Sequence, residues 1–232
     1  MKQPPGRLTP PLEPAVLSRR RCLQRGAATG LLHLLGGLGS VGTVALFAET
    51  AHAGGQLEEP LVDSVRTALT SAISNRAPPV PQFSDAEGRL AYQRWLSRIA
   101  TRLVRLIPEA HNRQEFSQTV WYESKRAGLD LPLVLGLIEV ESHFRKFAVS
   151  PLGARGFMQV MPFWVRLIGD GDVSTLFHLQ TNLRFGCVIL RHYLDREQGD
   201  VFVGLGRYNG SRGQAPYAEA VLTARKKWQI GS

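Results

Sequence analysis

Residues 131–142 read LPLVLGLIEVES and contain three polar side chains, all of them in the last four positions. A segment with so few polar residues has no solvated face, so the pattern predicts a buried helix. Asp130 stands directly before the segment, where it is expected to act as the N-cap. The sequence around this segment is also dominated by helical periodicity, and no alternating strand pattern of any length appears. The chain is therefore predicted to be mainly α.

Glu141 lies at the end of this predicted helix, where a carboxylate is costly. Burial disfavours the charged form, and the negative end of the helix macrodipole acts in the same direction, so both raise the pKa of the carboxyl group. A carboxylic acid that keeps its proton near neutral pH meets the requirement for a general acid. The alternative is an ordinary surface ion pair with Arg145, four residues on. Glu139 lies about 200° around the helix from Glu141, so the two acids face apart.

Four motifs follow one another over roughly residues 111–230. They are ESHF at 141–144, SPLGARGFMQVMP at 150–162, N-x-x-x-G-x-x-x-L-x-x-Y at 182–193, and YNG at 208–210. In this order they resemble the soluble lytic transglycosylase (SLT) family. The resemblance implies a lysozyme-like helical catalytic domain, preceded here by a short helical extension.

The resemblance also implies a reaction. Members of the family use a single Glu, here Glu141, to protonate the bond between N-acetylmuramic acid (MurNAc) and N-acetylglucosamine (GlcNAc) in peptidoglycan. The same residue then acts as a base on the C6 hydroxyl of MurNAc, which closes to a 1,6-anhydro ring. An internal nucleophile has an effective concentration of about 10⁵ M or more when it is well oriented. The expected partner is therefore the glycan strand of peptidoglycan, with no cofactor.

Further site residues are carried over from the family motifs. The substrate-binding positions are Ser150, Gln159, Met161, Tyr208 and Asn209, and the supporting positions are Ser142 and Met158. Gln159 is expected to bind sugar and to hold Glu141, and Tyr208 is expected to bring its hydroxyl to Glu141 and to stack on a sugar.

Several of these residues also have purely structural interpretations. Ser150 forms a turn before Pro151, Asn209 forms one with Gly210, and the two methionines fill gaps in the core. Ser142 is expected to support the helix end through a local hydrogen bond.

The chain departs from the family pattern at positions that flank the acid. Arg145-Lys146 stands where Asn-Pro is common, and Arg207 stands where Ala often precedes Tyr-Asn. After Tyr-Asn the family often has Ala-Gly or Ser-Gly, whereas this chain has Gly210-Ser211. These differences concern subsite preference more than the type of reaction.

Two other functions remain open from the sequence. A hydrolytic lysozyme or chitinase-like muramidase needs a second carboxylate at about 5–9.5 Å from the first. None of the candidates for it lies in a motif: Asp170, Asp172, Asp195, Glu197, Asp200 and Glu219. A peptidoglycan-binding protein without activity is the second alternative.

The first 53 residues have the features of an export signal. A basic region at Arg19-Arg20-Arg21 precedes an uncharged stretch from Gly26 to Ala48 and the site Ala51-His52-Ala53. The arginines resemble a twin-arginine signal, while the neighbouring residues leave the general secretory route open. Cleavage after Ala53 would place the enzyme in the periplasm or cell envelope without stable membrane insertion; a retained anchor is the alternative.

The expected organisation is a signal (1–53), a helical extension with a Pro-rich linker (54–110) and an SLT domain (111–232). Of the 28 basic and 19 acidic residues, six and two lie in the signal, so the remainder has a net charge of +5. The basic residues are scattered and no nucleic-acid motif appears, so an anionic envelope polymer is the favoured partner. Cys187 is left alone on an apolar helical stripe and is expected to be a core residue. The His and Cys residues show no metal-ligand spacing.

Helical periodicity predicts six further helices. They cover 57–74, a segment from an N-cap at Ser84 to near Pro108, 111 to about 127 with Gly128 as terminator, a short helix from Pro162, 182–196 and 216–228.

Overall fold

The computed structural model describes residues 63–74, 81–168 and 171–229, and this part of the chain is mainly α-helical. The helices are α1 (Asp63–Ser74), α2 (Ala86–Leu103), α3 (Ala110–Arg126), α4 (Leu131–Ser142), α5 (Pro162–Ile168), a 3₁₀ helix (Val173–Phe177), α6 (Leu179–Arg196), α7 (Val201–Asn209) and α8 (Ala215–Trp228). Within these residues there is no strand, and β pairing is limited to isolated bridges of Arg155 with Val149 and Val160. The mainly α prediction is confirmed.

The apolar segment is helix α4, and it lies inside the hydrophobic core. Val134, Leu135, Leu137 and Ile138 are fully buried. Asp130 caps the helix as expected, because its side chain accepts a hydrogen bond from the Leu133 backbone nitrogen at 3.3 Å. Burial around the whole helix explains why its sequence has no polar stripe.

Helix α8 packs very closely against α4. A Cβ atom on Gly136 would lie 2.6 Å from the backbone nitrogen of Arg225, so the contact requires glycine. Side chains hold the pair together: the guanidinium of Arg225 binds Asp130 at 2.7 Å, and Glu139 accepts hydrogen bonds from Lys227 and Trp228. This packing fixes the position of α8 relative to the end of α4.

The helices before residue 110 pack on the rest of the domain. Leu69 of α1 and Ile99 and Leu103 of α2 are fully buried in the common core. The start of α2 differs from the prediction, since Asp85 rather than Ser84 is its N-cap and accepts from the Gly88 nitrogen at 2.7 Å. A carboxylate makes the stronger, charge-assisted cap.

Most of the other predicted helices are present with small shifts. Helix α6 begins at Leu179 rather than 182, and α8 at Ala215 rather than 216. Helix α7 was not predicted, because its nine residues include Gly204 and Gly206, which lower helix propensity. Gly210 ends α7 at φ 82°, so the Asn-Gly signal marks a helix end instead of an isolated turn.

Some expectations fall outside the described residues. The export signal at 1–53, all but the last residue of the Pro-rich linker at 76–81, and the beginning of the predicted 57–74 helix lie there. In the described ranges, every helix is too short or too polar to span a bilayer. Cys187 is fully buried, as expected for a core residue, and burial raises the pKa of its thiol.

Candidate active site

Glu141 is buried at the C-terminal end of α4. The residue is 6% exposed, and burial raises the pKa of its carboxyl group to about 8. Oε1 accepts a hydrogen bond from the Tyr217 hydroxyl at 2.6 Å, which lowers the pKa by less than burial raises it. Oε2 is buried without a hydrogen-bond partner among the described residues. Near neutral pH this group is therefore mostly protonated, with one oxygen unused.

The alternative ion pair with Arg145 is wrong. The Arg145 Nε donates to the Ser142 carbonyl oxygen at 3.0 Å. The helix ends just before this point, because His143 and Phe144 have φ of 50° and 59° in the left-handed region. The chain therefore leaves the helix in a tight bend that turns Arg145 back onto the helix terminus.

Tyr217 is the site residue that the sequence analysis missed. It lies in the first turn of α8 and is 5% exposed, and burial followed by the charge of Glu141 raises its pKa well above 10. The phenol therefore remains a hydrogen-bond donor to Glu141. The sequence did place Tyr217 in the first turn of a helix, since Pro216 is typical of a helix start. Its partner is 76 residues away, which periodicity does not reveal.

Ser142 connects the end of α4 to the loop that carries the GFMQ motif. Its hydroxyl lies 3.2 Å from the Ile138 carbonyl oxygen and 2.7 Å from that of Phe157. The first contact is the local hydrogen bond expected for a supporting residue. The second joins α4 to the adjacent loop, so Ser142 helps set the position of both.

The loop between residues 148 and 160 is held by its own polar groups. Ser150 closes a turn, since its nitrogen donates to the Ala154 carbonyl and its hydroxyl accepts from the Ala154 nitrogen. Gln159 is 2% exposed, and its Nε2 donates to the carbonyl oxygens of Ala148 and Gly156. The expected hydrogen bond from Gln159 to Glu141 is wrong, because the amide nitrogen is committed to this loop.

Helix α6 fixes the same loop through Asn182 and Gly186. The Asn182 Oδ1 accepts from the Met158 nitrogen at 2.9 Å, and its Nδ2 donates to the carbonyls of Arg155 and Leu176. Gly186 leaves room for the Met158 side chain, since a Cβ there would lie 2.3 Å from its sulfur. These contacts explain the N-x-x-x-G motif, and they place Met158 in the core as a supporting residue.

Tyr208 does not make the contacts expected of it. Its hydroxyl donates to the Met158 carbonyl oxygen at 2.7 Å, and no hydrogen bond joins it to Glu141. Because the side chain is fully buried, the expectation that its ring stacks on a sugar is wrong. Asn209 is 8% exposed at the end of α7, and Met161 is partly buried against the core.

The candidate second carboxylates of the described residues are capping groups, ion-pair partners or exposed side chains. Their roles are as follows: Asp172 and Asp200 cap helices, Asp195 pairs with Arg191, Glu197 pairs with two arginines, Glu219 is exposed, and Asp170 lies outside the described residues. The pKa of Glu141 is shifted by burial and by Tyr217, with no contribution from another carboxylate of the described chain. In the same part of the chain, no three metal-ligand side chains lie together.

Arg207, a departure from the family pattern, belongs to an ion-pair cluster. The Glu197 carboxylate binds Arg207 at 2.6 Å and Arg212 at 2.9 Å. These two hydrogen bonds, Arg212 first, lower the pKa of Glu197 to about 2. The cluster joins the end of α6 to the loop before α8, which carries Tyr217. The Arg207 side chain therefore helps to position α8, and with it Tyr217, without contacting Glu141.

Comparison with known proteins identifies a domain family that covers these residues. The family model of the transglycosylase SLT domain matches residues 118–230. A transglycosylase of Enterobacteria phage PRD1 is 35% identical over 98 residues, which are 42% of this chain and 36% of the relative. The membrane-bound lytic murein transglycosylase C of Actinobacillus pleuropneumoniae (serotype 5b, strain L20) is 39% identical over 110 residues, 44% of this chain and 30% of the relative.

A shorter match and a solved structure complete the comparison. The membrane-bound lytic murein transglycosylase C of Glaesserella parasuis is 56% identical over 39 residues, 17% of this chain and 11% of the relative. Each of these matches thus covers 36% or less of the relative's own length. The structure of an inactive mutant of the lytic transglycosylase Slt from Pseudomonas aeruginosa aligns over 74% of this chain and 36% of that chain, with a TM-score of 0.38 and 16% identity. Residues 118–230 contain Glu141, Tyr217 and the elements that hold them, and this part of the chain belongs to the transglycosylase SLT domain family.

Proposed function

We propose that the chain is an exported peptidoglycan lytic transglycosylase that cleaves the β-1,4 bond from MurNAc to GlcNAc and leaves 1,6-anhydro ends. The observation that carries the proposal is the buried Glu141 carboxyl group, whose pKa is raised to about 8 inside a transglycosylase SLT domain. Relatives named lytic murein transglycosylases support the same reaction and substrate. The alternatives are a hydrolytic muramidase and a peptidoglycan-binding protein without activity.

In the first step Glu141 acts as the general acid. Its proton passes from Oε2 to the glycosidic oxygen, the bond from that oxygen to C1 of MurNAc breaks, and the GlcNAc hydroxyl leaves. Oε2 is the oxygen suited to this transfer, because Oε1 already accepts the Tyr217 hydrogen bond. The oxocarbenium-like character at C1 develops while Glu141 becomes a carboxylate.

In the second step the carboxylate acts as a base. It takes the proton of the C6 hydroxyl of the same MurNAc, whose oxygen bonds to C1 and closes the anhydro ring. Glu141 returns to its protonated form, and no water is consumed. The Tyr217 hydroxyl stabilises the carboxylate between the two steps, because a hydrogen bond to the charged form favours it.

A one-acid mechanism fits the surroundings of Glu141 better than hydrolysis does. A hydrolase of the usual kind pairs its acid with a second carboxylate, which either activates water or attacks the sugar. The candidate carboxylates of the described residues are engaged as caps or ion pairs or are exposed at the surface. Glu123 is also buried, and it is paired with Arg184 at 2.9 Å.

Mass spectrometry of the products tests the reaction. Sacculi digested with the purified chain are expected to release muropeptides with anhydro-MurNAc ends, one water lighter than the reducing ends of a hydrolase. Glu141→Gln is expected to lower the rate by about 10²–10⁴-fold, the usual contribution of a general acid. Glu219→Gln, an exposed carboxylate on α8, is the matched control and should retain the parent rate.

Each outcome discriminates between the functions. Reducing ends from the parent chain would favour the muramidase. Full activity of the Glu141→Gln variant would contradict both enzyme mechanisms, and binding of sacculi without any release would leave a binding protein.

We also propose that residues 1–53 direct export to the periplasm or cell envelope, with cleavage after Ala53. The support is the order of basic, uncharged and Ala-x-Ala segments in the sequence. N-terminal sequencing of the protein recovered from the envelope should begin at Gly54. Recovery of the uncleaved chain from the membrane fraction would instead show a retained anchor.

Substrate contacts by the remaining motif residues belong to the same proposal. Ser150 lies in the loop that Ser142 joins to α4 and Met161 follows it; both are partly exposed, so they are suited to touch the strand directly. Asn209 is 8% exposed and Gln159 2%, close to the 6% of Glu141, so sugar would contact only the exposed edge of either side chain. Alanine substitution at Ser150 should therefore raise KM more than it lowers kcat.

A further inference from the structure

Three large apolar side chains are exposed on the loop that follows the catalytic helix. Phe147, Val149 and Leu152 have exposed fractions of 71%, 57% and 63%. The ring of Phe177, from the 3₁₀ helix, lies 5.7 Å from that of Phe147. We call these four side chains the Phe147 strip. Exposed apolar groups of this size on one short loop are typical of binding surfaces.

The strip is displayed on a well-braced loop. Val149 and Arg155 form an antiparallel bridge, and the Ser150 to Ala154 hydrogen bonds close the turn between them. Gln159 adds a side-chain hydrogen bond to the Ala148 carbonyl oxygen. A surface that is ordered before binding loses little conformational entropy on binding.

Cationic groups lie over the two aromatic rings. The Lys146 Nζ is 5.5 Å from the centroid of the Phe147 ring, and the Arg155 guanidinium carbon is 5.4 Å from that of Phe177. Apart from its ring contact, Arg155 donates to the Val173 carbonyl oxygen, and no carboxylate in the described parts of the chain pairs with either cation. The surface therefore suits a ligand that is both apolar and anionic.

The strip is close to the catalytic acid along the chain. Phe147 follows Glu141 by six residues, so even a fully extended segment would separate their Cα atoms by no more than about 22 Å. The actual path is shorter, because the Arg145 nitrogen bonds to the Ser142 carbonyl and the Ala148 nitrogen to that of Arg145. A polymer cut at Glu141 would thus bring its side branches near the strip.

We propose that the Phe147 strip binds the peptide stems of the peptidoglycan strand. The inference rests on the proposed function, which supplies the polymer. Stem peptides combine methyl-bearing side chains with free carboxylates, which complement an apolar surface beside unpaired cations. A strand without stems keeps its sugars and lactyl carboxylates but loses those apolar groups. The strip would therefore distinguish stem-bearing strands from bare ones.

Binding to two soluble strand fragments tests the proposal. The full chain carrying Glu141→Gln is titrated with a stem-bearing fragment and with the same fragment after its stems are removed by an amidase. Adding Phe147→Gln is expected to raise the Kd for the stem-bearing fragment by about tenfold, the effect of an interface side chain of moderate importance. The Kd for the bare fragment should be unchanged.

Two further variants serve as controls. Leu90→Gln replaces a side chain that is 52% exposed on α2, and it should change neither Kd. Lys146→Gln should raise the Kd for the stem-bearing fragment by a smaller factor and weaken its dependence on salt. Because Phe147 and Lys146 are exposed, both variants should keep the circular dichroism spectrum of the parent.

The remaining outcomes would overturn the proposal. Equal weakening for both fragments would mean that the strip recognises sugar, and no weakening for either would mean that it binds another partner, such as an acidic protein segment. The binding measurement does not depend on the product formed. Stem recognition can therefore fail while anhydro products are still found, and hydrolytic products would refute the proposed reaction without affecting the binding result.

Discussion

The two oxygens of the Glu141 carboxyl group have different surroundings. One accepts the Tyr217 hydroxyl, and the other is buried with no partner in the described chain. Burial alone would hold the proton too firmly for the second step of the proposed mechanism, in which Glu141 acts as a base. The Tyr217 hydrogen bond opposes this effect, because it stabilises the charged form.

Replacing Tyr217 should therefore change the pH dependence of the reaction. In Tyr217→Phe the hydrogen bond that lowers the pKa of Glu141 is lost, so this pKa rises above its present value of about 8. Because the first step needs protonated Glu141, the falling limb of kcat/KM should move to higher pH. Loss of a hydrogen bond to a charged group, about 1.5–3 kcal/mol, should lower kcat by roughly ten- to a hundredfold.

Tyr208→Phe is the matched control for this measurement. Its hydroxyl binds the Met158 carbonyl oxygen rather than Glu141, so stability should fall while the falling limb stays in place. A shift of the limb in Tyr208→Phe but not in Tyr217→Phe would contradict the geometry.

The buried acid should also cost stability at alkaline pH. The pKa of Glu141 is about 8 in the folded chain and about 4.5 for an ordinary solvated Glu, so between these pH values the unfolded state binds fewer protons. The free energy of unfolding contributed by this group therefore falls as pH rises from about 4.5 to 8, by up to about 1.4 kcal/mol per pH unit. Glu141→Gln, which cannot ionise, should remove this slope and be more stable than the parent at pH 8. Urea unfolding of the two chains at pH 5 and pH 8 measures the difference.

At the scale of helices, the close approach of α4 and α8 brings the two site residues together. A Cβ on Gly136 would meet the backbone of Arg225 at 2.6 Å, and backbone cannot move aside as a side-chain end can. Gly136→Ala should therefore separate the helices, lower the free energy of unfolding by about 1–3 kcal/mol and reduce kcat by displacing Tyr217.

Gly204→Ala in α7 provides the comparison. The atom closest to its Cβ would be the end of the Leu194 side chain at 2.7 Å, which can rotate away. The gain in helix propensity, about 1 kcal/mol, offsets much of that adjustment. Chemical denaturation and initial rates of the two variants should therefore differ clearly; equal losses would refute the importance of the α4 and α8 contact.

At the scale of the whole molecule, a buried ion pair joins α3 to α6. The Glu123 carboxylate is 1% exposed and binds the Arg184 Nη2 at 2.9 Å and its Nε at 3.0 and 3.1 Å, and Gln180 donates to it as well. Helix α6 in turn holds the loop between residues 148 and 160 through Asn182. Through α6, the ion pair therefore supports the loop between residues 148 and 160.

Removing one partner of this pair should be more damaging than removing both. Glu123→Gln leaves the Arg184 charge buried without its counterion, at an expected cost of about 3–5 kcal/mol in the free energy of unfolding. The double variant Glu123→Gln with Arg184→Met removes both charges and should recover part of this loss. Thermal unfolding of the parent, single and double variants forms the required cycle. Additive losses would show that the two charges do not interact.

The amino-acid sequence by itself determined the local features of this protein. Apolar residues on every side of α4 require burial, Asp130 can cap that helix, and a carboxyl group at its end must have a raised pKa; each follows from neighbours within a few residues. The helical class and most helix positions follow in the same way. Weakly helical α7, with its two glycines, escaped prediction because its stability comes from packing.

Only the tertiary structure decided which tyrosine hydroxyl forms a hydrogen bond with Glu141. Tyr208 lies in a family motif, yet Tyr217 binds Glu141, because the Gly136 contact and the ion pairs along α8 fix where that helix begins. The tertiary structure also decided that the side chains of Gln159 and Asn182 form hydrogen bonds with the backbone of the loop between residues 148 and 160, and that Phe147 remains exposed. Such pairings join residues tens of positions apart, and their geometry depends on how helices pack, which hydrophobic periodicity within a segment does not encode.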